Sequence, residues 1–260
     1  MANRSTHLGI VVGVDGSPGS DIAIQWAAHD AALRDVPLTL VHAARTRSQR
    51  ERGQLVLDEA LRIVGTQVRV RCEMPCATAV FALADLSEHA ELVVVGCLGA
   101  GAPQRRQLCS LSSTLIHHAR CPVVVVHDDV RLTSESLAAP VLVGNDGSPE
   151  AQSAIAIAFN EAAIRGVGLI AVQALDDEGA AELLAGWSEH YPDVAVQQAV
   201  TRDDPTPELV DGARTAQLVV VGSGGSSGFA EMLPGSDGAG LALLTHVPVI
   251  VARAQLARAR

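Results

Sequence analysis

The sequence contains no lysine: all 19 basic residues among its 260 are arginine. A Walker A loop sets a lysine on the β and γ phosphates, and a pyridoxal phosphate enzyme holds its cofactor through a lysine Schiff base. Neither class is open to this chain. Aromatic residues are nearly as scarce, since three Phe, two Trp and one Tyr are too few for a base-stacking platform. The 29 acidic residues bring the formal charge to -10, which repels a polyanionic backbone. Nucleic-acid binding is therefore not expected. The five cysteines (Cys72, Cys76, Cys97, Cys109, Cys121) are odd in number and lack a C-x-x-C spacing, so neither a disulfide framework nor a zinc site follows. No apolar run approaches the ~18 residues that span a bilayer, and the opening Met1 to His7 is polar. No membrane association and a cytoplasmic location are the expectation.

What the chain does hold is apolar side chains. Hydrophobic residues make up 48% and charged residues 18%, which supplies a packed core and leaves little room for disorder. The apolar runs repeat. Ile10-Val11-Val12-Gly13-Val14-Asp15-Gly16-Ser17-Pro18 returns as Val141-Leu142-Val143-Gly144-Asn145-Asp146-Gly147-Ser148-Pro149, and Leu92 to Gly99 returns as Leu218 to Gly225. A third pair is Cys121-Pro122-Val123-Val124-Val125 and Val247-Pro248-Val249-Ile250-Val251. Asp146 follows Asp15 by 131 positions and Gly222 follows Gly96 by 126, so the second copy has lost residues in a connection between them. Two divergent copies of one domain, 1–136 and 137–260, joined near the polar stretch Asp128 to Ala139, explain the length.

Within each copy, short Val, Leu and Ile runs alternate with longer Ala-rich segments. Strands are predicted near 10–14, 38–43, 67–72, 92–96 and 122–126, and helices near 19–34, 51–65, 77–89 and 111–119, with the second copy following suit. Apolar strands separated by crossover helices imply an α/β fold: a five-stranded parallel sheet covered on both faces, in the order 3-2-1-4-5. In such a sheet a ligand crevice opens at the carboxyl ends of strands one and four, where connections leave in opposite directions. The unusual turns follow those two strands. Glycines there let main-chain N–H groups converge, and a helix N-terminus adds donors and a positive dipole end, so a phosphate is held without lysine.

The second copy spaces its glycines as Gly222-x2-Gly225-x9-Gly235-Ser236. This pattern, with Gly13 to Ser17, Thr39-Leu40-Val41-His42-Ala43 and the closing Cys-Pro-Val and Val-Pro-Val strands, resembles the universal stress protein family, and both copies match its tandem, actinobacterial form. The resemblance implies two Rossmann-like (adenine nucleotide alpha hydrolase-like) domains and binding of ATP with Mg2+. It implies a stress-response regulator rather than an enzyme, with weak hydrolysis at most. It places Asp146 beside the adenosine, the backbone of Val172 against the adenine edge, and Gly222, Gly225, Gly235 and Ser236 around the phosphates. Where the family commonly carries a second hydroxyl, two places after Ser236, this chain has Gly238.

The first-copy equivalents are Asp15, Val41, Gly96, Gly99, Ser110 and Ser112, but the third glycine is Cys109. A β-carbon there obstructs the approach of phosphate, so the second copy is expected to be the better site. Arg105 and Arg106 compensate as phosphate partners or are simply solvated. Asp15 contacts ligand or caps the next helix; both readings stand. Cys109, at a helix start near arginines, is a redox candidate against the plainer reading of an inert apolar residue. His117 and His118 are neighbours on one helix and point too far apart to share a metal. Trp26 and Trp187 read as packing anchors.

Two other functions remain in view. An adenylating ATP pyrophosphatase has a loop like Ser223-Gly224-Gly225-Ser226-Ser227, but its Asp position is Ser227 here and its loop follows strand one. A protein-interaction or redox module with decayed nucleotide sites is the other. The apolar last strands, Val123 to Val126 and Val247 to Val251, need partners. Edge-to-edge pairing of the two copies is expected, with a homodimer and an unidentified regulatory protein as further partners.

Overall fold

The computed structural model describes residues 7–66, 68–97, 110–145, 149–174, 178–201, 206–223 and 246–252. The chain forms two compact units, Met1–Asp128 and Asp129–Arg260. This division falls ahead of the boundary expected at 136/137 because the connecting segment is tied to the second unit. Its short helix α5 (Ser134–Leu137) is capped by Thr133. Gln217 Nε2 then donates to the carbonyls of Leu137 and Ala139, at 2.8 and 2.6 Å.

The first unit runs β1 (Gly9–Gly13), α1 (Pro18–Arg34), β2 (Leu38–Val41), α2 (Arg47–Val64), β3 (Val70–Glu73), α3 (Ala79–Leu86), a 3-10 turn, β4 (Ala90–Gly96), α4 (Ser110–His118) and β5 (Val123–Val126). All pairings are parallel and the order is β3-β2-β1-β4-β5. After α5 the second unit runs β6 (Val141–Asn145), α6 (Pro149–Arg165), β7 (Leu169–Ala174), α7 (Glu178–His190), β8 (Val196–Thr201), α8 (Thr206–Ala213), β9 (Leu218–Gly222) and β10 (Val249–Ala252). Its order is β8-β7-β6-β9-β10, again parallel. The two sheets therefore share one topology.

Local chemistry explains the boundaries. α1 starts where Ser17 Oγ accepts the Ser20 amide, with Pro18 in the first turn, and it ends on Asp35 in the left-handed region at φ 52°. α2 begins four residues earlier than the residue-51 start expected from the apolar pattern. The cause is a capping box, in which Thr46 takes the Gln49 amide and Gln49 reaches back to the Thr46 amide. Central strands are buried throughout, with Ile10, Val11, Val12, Val93 and Val94 in one unit and Leu142, Val143 and Val220 in the other at zero exposure. Each sheet has one polar margin, Arg71 and Glu73 on β3 or Gln197 and Gln198 on β8, all exposed. Polar margins of this kind discourage strand addition.

Each unit also buries an ion pair at an equivalent place on its first long helix. Arg34 Nε meets Asp30 Oδ2 at 2.8 Å, and Arg165 Nη2 meets Glu161 Oε2 at 3.1 Å. Asp30 is fully buried and Glu161 is 1% exposed, so removing either cation would leave a buried charge, at a cost of about 3–5 kcal/mol. In the second unit, Phe159 on α6 stacks with Trp187 and Tyr191 of the α7 region, with centroids 6.3 and 5.7 Å away. Half of the six aromatics serve this one contact. Trp26 is buried on α1, and His117 and His118 are exposed on α4.

Cys121, at the turn into β5, is buried, and burial pushes its thiol from an ordinary 9.0 up to about 12. The folded thiol thus keeps its proton where the unfolded one loses it, so stability is intact below about pH 9 and falls as pH rises above it. By about pH 10 the loss is about 1.4 kcal/mol. Urea unfolding of wild type and Cys121→Ala at about pH 8 and 10 should show this extra alkaline loss in wild type only.

Candidate functional site

In each unit the crevice lies at the carboxyl ends of the strands, between the first strand and its fourth neighbour. In the second unit these ends are polar and buried. Register sets Asn145 of β6 against Gln173 of β7, and Ala174 against Thr201 of β8. Asn145 is fully buried, Gln173 is 5% exposed and Thr201 8%. β6 and β7 thus finish their apolar runs on a pair of enclosed polar side chains, whereas Thr201, in register with Ala174, faces the other side of the sheet. Asn145 and Thr201 have interactions of their own. Gln173 Oε1 is buried with no hydrogen-bond partner, which costs about 1–3 kcal/mol unless a ligand donor meets it.

Of the residues expected to bind nucleotide, two fall on this rim among the described residues. Val172 precedes Gln173 with its side chain 1% exposed, so only its main chain is available to a ligand. Gly222 closes β9, paired with Ala252, and the following Ser223 amide donates to the Ala252 carbonyl at 2.7 Å. Asp146, Gly225, Gly235 and Ser236 lie outside the described residues. The residue missed by sequence reasoning is Gln173. Its signal was a polar side chain ending an apolar strand at the position that His42 holds in the other copy.

The first unit closes the same place with its own atoms. His42 Nδ1 donates to the Val14 carbonyl at 2.7 Å, and the Val14 amide donates to the Val41 carbonyl at 2.8 Å. α2 lies directly over this ring. A β-carbon at Gly53 would stand 2.4 Å from His42 Cδ2 and 3.2 Å from Met74 Cε. Val14, which replaces Asn145, is apolar and buried. One imidazole nitrogen is thus bonded within the protein, and α2 packs against the ring.

Asp15 is exposed and holds the start of α1. Its Oδ1 accepts from Ser17 N at 2.9 Å and Ser17 Oγ at 2.6 Å, and Ser17 in turn caps the helix. Asp15 therefore supports the cap from two residues further out. Burial raises the Asp21 carboxyl above its usual range, and the Asp15 charge adds to the effect, an unfavourable neighbourhood for a second anion.

Gly96 ends β4 against the same helix start: a β-carbon there would lie 2.8 Å from the Gly19 carbonyl and 3.1 Å from the Ser20 amide. Packing alone requires this glycine. Ser110 is the first residue of α4 and Ser112 is buried within it, while Gly99, Cys109, Arg105 and Arg106 lie outside the described residues. Cys97 and Cys121 are buried, and Cys72 and Cys76 are exposed. Burial, with Asp58 and Glu73 nearby, raises the Cys72 thiol. Among the described residues no three His, Cys, Asp or Glu side chains gather closely enough to hold a metal. No helix among them is long and apolar enough to cross a membrane.

Comparison with known proteins agrees with this architecture. The model of the universal stress protein family matches residues 9–62, 46–127 and 173–253. A universal stress protein of Mycobacterium tuberculosis is 43% identical over an alignment of 297 positions that takes in 98% of this chain and all of that protein. A second from the same species is 41% identical, covering 96% of this chain and 98% of its own. Among solved structures, a universal stress protein from Archaeoglobus fulgidus superposes with a TM-score of 0.74 at 20% identity, across 96% of this chain and 99% of that one. This last likeness concerns the fold.

If Gly96 is required by the approach of α1, Gly96→Ala should destabilise the nucleotide-free protein by about 1–3 kcal/mol. Urea unfolding measures it, and an unchanged midpoint would show that the helix start moves aside freely.

Proposed function

Because the chain belongs to the universal stress protein family, we propose that it is a regulatory protein whose second domain, residues 137–260, binds an adenine nucleotide. ATP is the expected form, with Mg2+ carried on its phosphates rather than in a protein cage. The supporting observation is the contrast between two crevices built on one topology. In the first, α2 packs at Gly53 against His42 and Met74, and His42 Nδ1 is bonded to the Val14 carbonyl, whereas the second buries Asn145 beside Gln173, whose Oε1 has no hydrogen-bond partner. The spacing Gly222-x2-Gly225-x9-Gly235-Ser236 supplies main-chain donors for the phosphates. It offers neither a lysine nor a base, so we infer retention of the nucleotide and not turnover, with occupancy read by a protein partner.

Calorimetric titration of the full chain with ATP should give one site, and Gly235→Cys, which copies the first domain's Cys109, should weaken it at least about tenfold. Equal affinity in the variant would remove the steric argument, and no binding to wild type would remove the nucleotide reading.

We also infer that the domains pair through their last strands. Each sheet has a polar margin at β3 or β8, whereas β5 is four valines and β10 is Val-Ile-Val-Ala. An apolar strand with one edge unpaired within its own sheet needs a partner. All amides of both strands should then exchange slowly with solvent, whereas fast exchange at alternate residues would mean that the outer edges are open.

A further inference from the structure

We propose that Gln173 selects the base, its Oε1 accepting a hydrogen bond from the exocyclic amino group of adenine. This rests on the nucleotide reading above and goes beyond it by assigning specificity to one side chain. Gln173 is 5% exposed at the carboxyl end of β7, where the crevice of the second sheet begins. Its register partner on β6, Asn145, is engaged in interactions of its own. Gln173 Oε1 is enclosed with no partner. A buried acceptor calls for a donor.

The chemistry of the base narrows the choice. An adenine joined through N9 has acceptors at N1, N3 and N7 and a single donor group, the 6-amino. A base meeting Oε1 by a conventional hydrogen bond must therefore bring that group to it. Guanine and hypoxanthine carry a carbonyl at position 6, which in the adenine pose would set acceptor against acceptor, and their N1–H reaches Oε1 only if the ring shifts. Sites built around such a hydrogen bond discriminate sharply against ligands that lack the donor. The first domain has no equivalent selector, because His42 stands at the matching register position and donates to Val14 instead.

The test compares ligands before it compares proteins. Wild-type full chain is titrated with ATP, inosine triphosphate and purine riboside triphosphate, which bears only hydrogen at position 6. ATP should bind at least about tenfold more tightly than either analogue. In Gln173→Met, which keeps an unbranched side chain without the acceptor, the three affinities should fall within about twofold of one another. Equal binding of the three ligands by wild type, or survival of the adenine preference in Gln173→Met, would overturn the assignment while leaving nucleotide binding in place. Failure of wild type to bind any of the three would overturn both. The wild-type comparison decides the matter even if the variant does not fold.

Discussion

A parallel sheet covered on both faces has almost no place for polar side chains except beyond the ends of its ladder, and this constraint governs where chemistry can occur here. Along the central strands the side chains are apolar and enclosed. Thr39 on β2 is an exception within the ladder, and its hydroxyl donates to the Leu8 carbonyl at 2.9 Å. Polar groups with freedom to meet a ligand therefore collect at the carboxyl ends. Reversal of the crossover direction between the first strand and its fourth neighbour opens a gap at those ends. The order β3-β2-β1-β4-β5, and its counterpart in the second unit, thus fix the place of the site before any of its residues are named.

The two copies share what supports the scaffold and differ at the mouth. The buried pairs Asp30–Arg34 and Glu161–Arg165 occupy matching places on α1 and α6, and in each an adjacent arginine answers the buried anion. At the mouth, Val14 and His42 stand where Asn145 and Gln173 stand in the other copy. His42 donates to a main-chain carbonyl and packs against α2. The second crevice carries one acceptor, Gln173 Oε1, that has no hydrogen-bond partner. A difference of this kind is hard to explain by packing, because an apolar or self-bonded side chain would serve packing better.

Much of this was legible in the sequence. Valine runs separated by Ala-rich segments fixed the strands and their order, and the returning Asp-Gly-Ser-Pro motif fixed the duplication. What was hidden has physical causes. The early start of α2 depends on a reciprocal bond between Thr46 and Gln49, which apolar periodicity does not register. Strand β3 starts at Val70, later than the expected residue 67, and its exposed Arg71, Cys72 and Glu73 give only a weak apolar signal. Gly96 read as part of a phosphate cradle, yet the approach of the α1 backbone already demands it. Gln173 was overlooked because a lone glutamine after an apolar run is ordinary in sequence. Only burial shows that its carbonyl is enclosed.

An unsatisfied acceptor in one domain has a thermodynamic consequence for regulation. A ligand that binds the native state stabilises it in proportion to the logarithm of its concentration relative to Kd, and that gain falls on the domain that holds the ligand. The second domain carries the cost of enclosing Gln173 Oε1 when empty and loses that cost when a donor arrives. On the proposed reading the first domain, whose His42 is bonded to Val14, gains nothing from the same ligand. Nucleotide concentration would then shift the stability of one half of the chain against a constant half, and so set how firmly the surfaces of the second domain are held for a partner.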